Sequence, residues 1–224
     1  MKLLFDGADL TQIKEMDAIY PLDGFTSNPT SLKKTGRPPY DVLLEIRKYI
    51  KERELHVQVV ATEVDDMIKE AAVICEKLGA NTYVKIPVDR NGLIAIAKLK
   101  KAGYNITATA IYEPMQAFLA AKAGADYVAP YVNRIENISN NGIETACLIA
   151  DILRINNLQS QVLSASFKRK DQVLALIAHG IDSITVSYEL LNTLLDNEDV
   201  SKAIKVFIQD FEDLAGPNKK MFDQ

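Results

Sequence analysis

The sequence predicts an α/β fold, a closed (β/α)₈ TIM barrel with one additional C-terminal helix. Three observations carry that prediction. Eight short apolar runs begin near Lys2, Gly24, Leu55, Thr82, Asn105, Tyr127, Gln161 and Ser183, at intervals of 22, 31, 27, 23, 22, 34 and 22 residues. Amphipathic stretches separate them, so strand and helix alternate along the chain. Gly79, Gly103, Gly124 and Gly180 each close such a stretch just before the next run, as helix-to-strand turns require.

Taken in order, the helical stretches fall at 10–20, 41–53, 64–78, 93–102, 115–123, 143–156, 171–179 and 188–195. Eight strand–helix units in about 200 residues favour a closed barrel over an open doubly wound sheet. No Gly-x-Gly-x-x-Gly follows the first run, which removes the dinucleotide-binding alternative. A ninth helical stretch, 199–214, places Ile204, Phe207, Ile208 and Phe211 on one face, for packing on its own barrel or on a neighbouring subunit. The expected organisation is a single domain over 1–216 with a frayed tail at 217–224.

Composition excludes several classes of function. With 26 basic and 30 acidic residues the formal charge is −4, and no basic face points to nucleic acid or anionic lipid. No stretch reaches 18 apolar residues, and Met-Lys-Leu-Leu-Phe-Asp lacks the apolar core of a signal peptide. A cytoplasmic location is expected. Cys75 and Cys147 form no paired or metal-spaced motif and read as buried thiols of a reducing compartment. With His56 and His179 as the two histidines, a zinc centre is disfavoured, while an oxygen-only Mg²⁺ site is left open. No metal or other cofactor is expected.

The informative stretch is Asn81 to Arg90. Val84, Ile86 and Val88 read as a buried parallel strand, yet Lys85 stands among them, where an ammonium does not belong. The bland alternative is an edge lysine with its stem packed and its head in water. A lysine in a dry setting loses its proton more readily, and the neutral amine attacks carbonyls.

Barrel chemistry gathers at the C-terminal strand ends. Those ends offer Asp6, Asn28, Gln58, Lys85, Thr109, Tyr131 and Ser166. Each has a bland reading: Asp6 as a helix cap, Asn28 as a turn residue before Pro29, Thr109 as an ordinary strand residue. Arg134, Ser166 and Lys168 together suggest a phosphate cradle, although Lys168, Arg169 and Lys170 also fit a solvated basic turn.

Asp6, Thr26-Ser27-Asn28-Pro29, Val84-Lys85-Ile86-Pro87, Tyr127 to Arg134 and Ala165-Ser166-Phe167-Lys168 together resemble the short transaldolases, most closely their fructose-6-phosphate aldolase branch. The likeness spans about residues 1 to 215 in order. It implies a Schiff-base mechanism on Lys85 without cofactor, acting on sugar phosphates. It also implies a decamer in which the C-terminal helix reaches a neighbour. Tyr131 would move protons through a water held by Gln58 and Thr109; Asp6 and Asn28 would orient the dihydroxyacetone hydroxyls. Arg134, Ser166 and Lys168 would hold the phosphate. Short transaldolases usually have glutamate at the Gln58 position and phenylalanine at the Tyr131 position, so both residues lean toward the aldolase branch. Phe25, Ser27, Thr30, Asp89 and Val186-Ser187 depart from the usual wording and bear on substrate shape. A transaldolase is the alternative reading, and a non-catalytic sugar-phosphate-binding barrel a remote one.

Overall fold

The computed structural model describes residues 1–223. The chain alternates β1 (Lys2–Asp6), α1 (Leu10–Ile19), β2 (Gly24–Thr26), α2 (Pro29–Lys34), α3 (Pro39–Ile50), β3 (Glu54–Gln58), α4 (Val64–Leu78), β4 (Thr82–Pro87), α5 (Arg90–Lys101) and β5 (Asn105–Ile111). It continues with α6 (Pro114–Lys122), β6 (Tyr127–Pro130), α7 (Val132–Ser139), α8 (Gly142–Ile155), β7 (Gln161–Ser164), α9 (Lys170–His179), β8 (Ser183–Ser187), α10 (Tyr188–Leu191) and α11 (Glu198–Ala215). A short 3₁₀ turn follows at Met221–Asp223. The eight strands close in sequence order into a parallel barrel, with β1 paired to both β2 and β8.

Seven strands begin at the expected residues, and the third begins one residue early, at Glu54. Gly79, Gly103, Gly124 and Gly180 all take positive φ, between 85° and 99°, which a side chain would resist. Outward strand residues such as Phe5, Phe25, Val84, Ile86, Ile106 and Val128 are fully buried under the helices. No helix is long and apolar enough to cross a membrane, among the described residues.

Two helices were not expected. α2 is only six residues long; Asn28 caps it by accepting from the Ser31 N–H at 2.9 Å, and Pro29 occupies its first position. α7 begins directly after Tyr131, so Arg134 sits in its first turn rather than in an open loop. α3 ends before the expected 53, because Lys51 turns to φ 56°. α10 stops at Leu191 instead of 195. Asp9, not Asp6, caps α1, accepting from the Thr11 and Gln12 N–H groups. Cys75 and Cys147 are free but partly exposed, not buried as expected.

The chain divides into two compact units, the first ending at Leu191 and the second starting at Asn192. Within the second, α11 buries none of its residues and leaves Ile204, Phe207 and Ile208 exposed by 51, 68 and 48%.

Candidate active site

A cavity of about 740 Å³ opens at the C-terminal ends of the strands. Its lining brings together Asp6, Asn28, Gln58, Lys85, Tyr131, Arg134, Ser166 and Lys168, eight of the nine residues singled out in the sequence. The ninth, Thr109, is buried outside that lining, and its hydroxyl lies 3.0 Å from the Tyr131 hydroxyl.

Lys85 projects from β4 and is only 7% exposed. The register places Gln58 of β3 and Thr107 of β5 beside it. Its Nζ donates to the backbone carbonyl of Ser27 at 2.7 Å. Burial pushes the amine well below the ordinary lysine range; Asp6 opposes the shift and Arg134 reinforces it. The edge-lysine reading therefore fails on position: the barrel is closed, so β4 is paired on both sides and is no edge, and the side chain is almost wholly buried at the cavity wall.

Asp6 ends β1, in register with Thr26 on one side and Ser187 on the other. Its Oδ1 accepts from Thr26 Oγ1 at 3.2 Å and from Asn28 Nδ2 at 3.4 Å. Burial raises its proton affinity above the usual carboxylate range, against the pull of Lys85, Thr26 and Arg134. Low solvation thus drives both members of the pair toward their uncharged forms. Thr26 Oγ1 is also 2.8 Å from Thr185 Oγ1.

Around Tyr131 the site is more open. The Arg134 guanidinium lies over the Tyr131 ring, 4.5 Å from its centre. Tyr112 meets the same ring edge-on at 5.8 Å, and Tyr112 helps to hold the Arg134 guanidinium above its ordinary range. Ser166 holds a left-handed conformation, φ 64°, just beyond β7, and its carbonyl accepts from the Asn133 N–H at 3.1 Å. That strained turn brings Ser166 and the start of α7 to the same wall.

The basic run after β7 splits. Lys168 lines the cavity, whereas Arg169 is turned to Asp171 and Glu136, each at 3.0 Å. Sequence reasoning missed Lys34, Thr26, Thr185, Ser187 and Glu189, all of which line the cavity. The threonines and Ser187 carried a signal: they alternate inward on strands whose other face is apolar.

Chemically, the cavity lining offers one uncharged-leaning amine, a carboxyl that interacts with it, a phenol, amides, and three cationic side chains, Lys34, Arg134 and Lys168. That set suits addition of an amine to a carbonyl and proton transfer around it.

A family model described as transaldolase/fructose-6-phosphate aldolase matches residues 3–224. A probable fructose-6-phosphate aldolase of Streptococcus pneumoniae is 36% identical over 213 residues, covering 94% of this chain and 96% of that protein. A probable transaldolase of Sulfurihydrogenibium is 32% identical over 212 residues, covering 95% and 97%. One from Clostridium botulinum is 32% identical over 219 residues, covering 98% of this chain and all of its own length. The chain belongs to the transaldolase/fructose-6-phosphate aldolase family.

Proposed function

We propose that the protein is a Schiff-base aldolase that reversibly cleaves fructose 6-phosphate to dihydroxyacetone and glyceraldehyde 3-phosphate. The observation that carries this reading is the buried Lys85 amine, aimed at the Ser27 carbonyl on a wall shared with Asp6 and Tyr131. Neutral Lys85 attacks C2 of the open-chain ketose, and loss of water leaves an iminium ion. Removal of the C4 hydroxyl proton lets the C3–C4 pair flow into the iminium. The C4 fragment leaves as the aldehyde, and an enamine remains on Lys85. Protonation of the enamine at C3 and hydrolysis release dihydroxyacetone and restore the amine.

Tyr131 is the proton carrier in this scheme, backed by Thr109 and working through a water beside Gln58. Asp6 and Asn28 orient the donor hydroxyls, and Asp6 also assists proton transfer. Arg134, Ser166 and Lys168 hold the phosphate. The tyrosine supports a lyase, because a hydroxyl at this position can protonate the enamine and so end the reaction.

The names of several relatives favour a second reading, a transaldolase, in which the enamine waits for an acceptor aldehyde such as erythrose 4-phosphate in the pentose phosphate pathway. Borohydride reduction in the presence of substrate tests the imine: label absent from Lys85, or an active Lys85→Ala variant, sinks both readings. Free dihydroxyacetone released from fructose 6-phosphate alone supports the lyase; transfer to erythrose 4-phosphate without such release makes the protein a transaldolase. The reading places the enzyme in the cytoplasm as a homo-oligomer, a decamer, with the exposed apolar stripe of α11 against a neighbouring copy. A monomeric mass by light scattering would refute that assembly.

A further inference from the structure

The barrel interior holds a second polar group that the proposed chemistry leaves unused. His56 of β3 is fully buried. Its Nδ1 lies 2.8 Å from Oγ1 of Thr107 on β5, and its ring stacks on Tyr83 of β4, with centres 4.7 Å apart and planes 13° from parallel. On the other side, Nε2 faces Glu54 Oε2 at 3.5 Å. Glu54 is itself held by Lys2 Nζ at 2.5 Å and the Tyr127 hydroxyl at 3.0 Å. A carboxylate only accepts, so the ring proton is assigned to Nε2, and Nδ1 accepts from the Thr107 hydroxyl.

Strand order fixes where this ring lies. β4 runs between β3 and β5, so a bond from His56 to Thr107 must cross the inner face of β4. His56 pairs in register with Tyr83, and Gln58 with Lys85, which puts the imidazole one layer below the lysine. Lys85 leans the opposite way: its Nζ reaches the Ser27 carbonyl just past β2, so its stem passes over β3. The two side chains thus leave neighbouring strands in opposite directions, the lysine starting one layer above the imidazole. The same residue also holds the far end, because the His56 carbonyl accepts the Ser27 N–H at 2.9 Å and the Ser27 hydroxyl at 3.3 Å.

We propose that His56 is a positioning residue for Lys85: pinned across β4 by Thr107, it forms the bed that carries the lysine stem and anchors the carbonyl that receives its amine. This inference rests on Lys85 being the imine-forming nucleophile. Free rotation of the ring would let the stem sink toward Tyr83 and carry the amine away from Asp6 and the incoming carbonyl. The Thr107 hydroxyl gives the ring a hydrogen bond against that rotation, added to its packing on Tyr83 and Tyr127.

The test compares Thr107→Val with Thr107→Ser. Valine keeps the shape and loses the hydroxyl; serine keeps the hydroxyl and leaves a methyl-sized hole. Thr107→Val should lower kcat, and the rate of borohydride trapping on Lys85, about tenfold with KM nearly unchanged, and Thr107→Ser should recover most of that loss. His56→Phe, which keeps the stack on Tyr83 but cannot bond Thr107, should be as slow as Thr107→Val, with thermal unfolding confirming that both variants fold. A packing role alone reverses the order, serine being the slower, and valine as fast as serine overturns the inference. If Lys85 of the unaltered protein is not trapped at all, the nucleophile reading fails and takes this inference with it. Trapping that is intact but insensitive to the hydroxyl refutes the inference alone.

Discussion

The hydroxyls of Thr109 and Tyr131 stand 3.0 Å apart, the first buried and the second at the cavity wall. The contact fixes the phenol against a rigid strand, while the Arg134 guanidinium covers its face. In the proposed mechanism a phenol held this way is preorganised for proton transfer to and from substrate. Tyr131→Phe should lower the cleavage rate roughly 10²–10⁴-fold, the range for loss of a general acid or base. Borohydride labelling of Lys85 with dihydroxyacetone should persist, because imine formation uses the amine. Thr109→Val should cost less, about tenfold, as one neutral hydrogen bond is worth about 0.5–1.5 kcal/mol. Full lyase activity in Tyr131→Phe would remove Tyr131 from the mechanism.

Burial holds the Lys85 amine toward its neutral form, the form the proposed mechanism needs, at a cost in stability. Its folded amine binds a proton less tightly than the unfolded one, whose pKa is about 10.4. The contribution to stability is therefore complete above that pH and is lost as pH falls toward the folded value. At neutral pH the buried amine is a net burden. Lys85→Met, similar in length and apolar, should abolish activity yet raise stability at pH 7 by about 1–2 kcal/mol. The gain should shrink near pH 10.5, where about half of the unfolded lysine is also neutral. Urea unfolding of both proteins at the two pH values measures this, and a gain independent of pH would contradict the dry-amine account.

Much of this site was legible because its residues violate a local pattern. Lys85 announces itself as a charge inside an apolar strand, and the left-handed glycines mark where each helix must stop. What stayed hidden lacks such a conflict. Thr26 and Thr185 are β-branched residues in strands, so their mutual bond at 2.8 Å leaves no trace in propensity. α2 and α7 are too short, at six and eight residues, for helical periodicity to emerge. Asn28 with Ser31 three residues on was a readable capping pair, masked by its reading as a turn before Pro29. That Lys85 starts one layer above His56 and that each bonds across a neighbouring strand depends on which strands become neighbours, a property of closure and not of any local window.

Glu189 sits in the cavity lining, where it was read only as part of a helix. Its own backbone N–H and the Ser187 hydroxyl hold its carboxyl below the usual range, with Lys34 and Lys168 adding to the effect. An anion thus stands within the field of two cations, one of which, Lys168, is proposed to hold the phosphate. Glu189→Gln should lower KM for fructose 6-phosphate about three- to tenfold with little change in kcat, as expected for removing one partly screened like charge. Unphosphorylated substrates should be indifferent to the change. An equal effect on both classes would place the phosphate elsewhere.

The acid limit of the fold is set at the opposite end of the barrel. Burial alone would raise the Glu54 carboxyl, but His56 and Lys2 outweigh it and hold the group at about 2. Because the folded value lies below the unfolded one of about 4.3, Glu54 stabilises the fold fully above that pH and progressively less toward pH 2. The side chain is 16% exposed, so the contribution is little screened and amounts to roughly 3 kcal/mol at most. His56 is buried and kept neutral against Glu54, so it too withdraws stability as pH falls below about 6.5. The unaltered protein should therefore lose stability in two steps, one below pH 6.5 and one below pH 4.5. Glu54→Gln should be less stable at pH 7, since Lys2 and Tyr127 lose a charged partner, yet its curve should fall less steeply below pH 4.5, where only the remaining lowered carboxyls, such as Asp17 and Glu189, still titrate. Urea midpoints measured at pH 7, 5 and 3 resolve the two cases: parallel curves for the two proteins would mean that Glu54 is not the group that titrates.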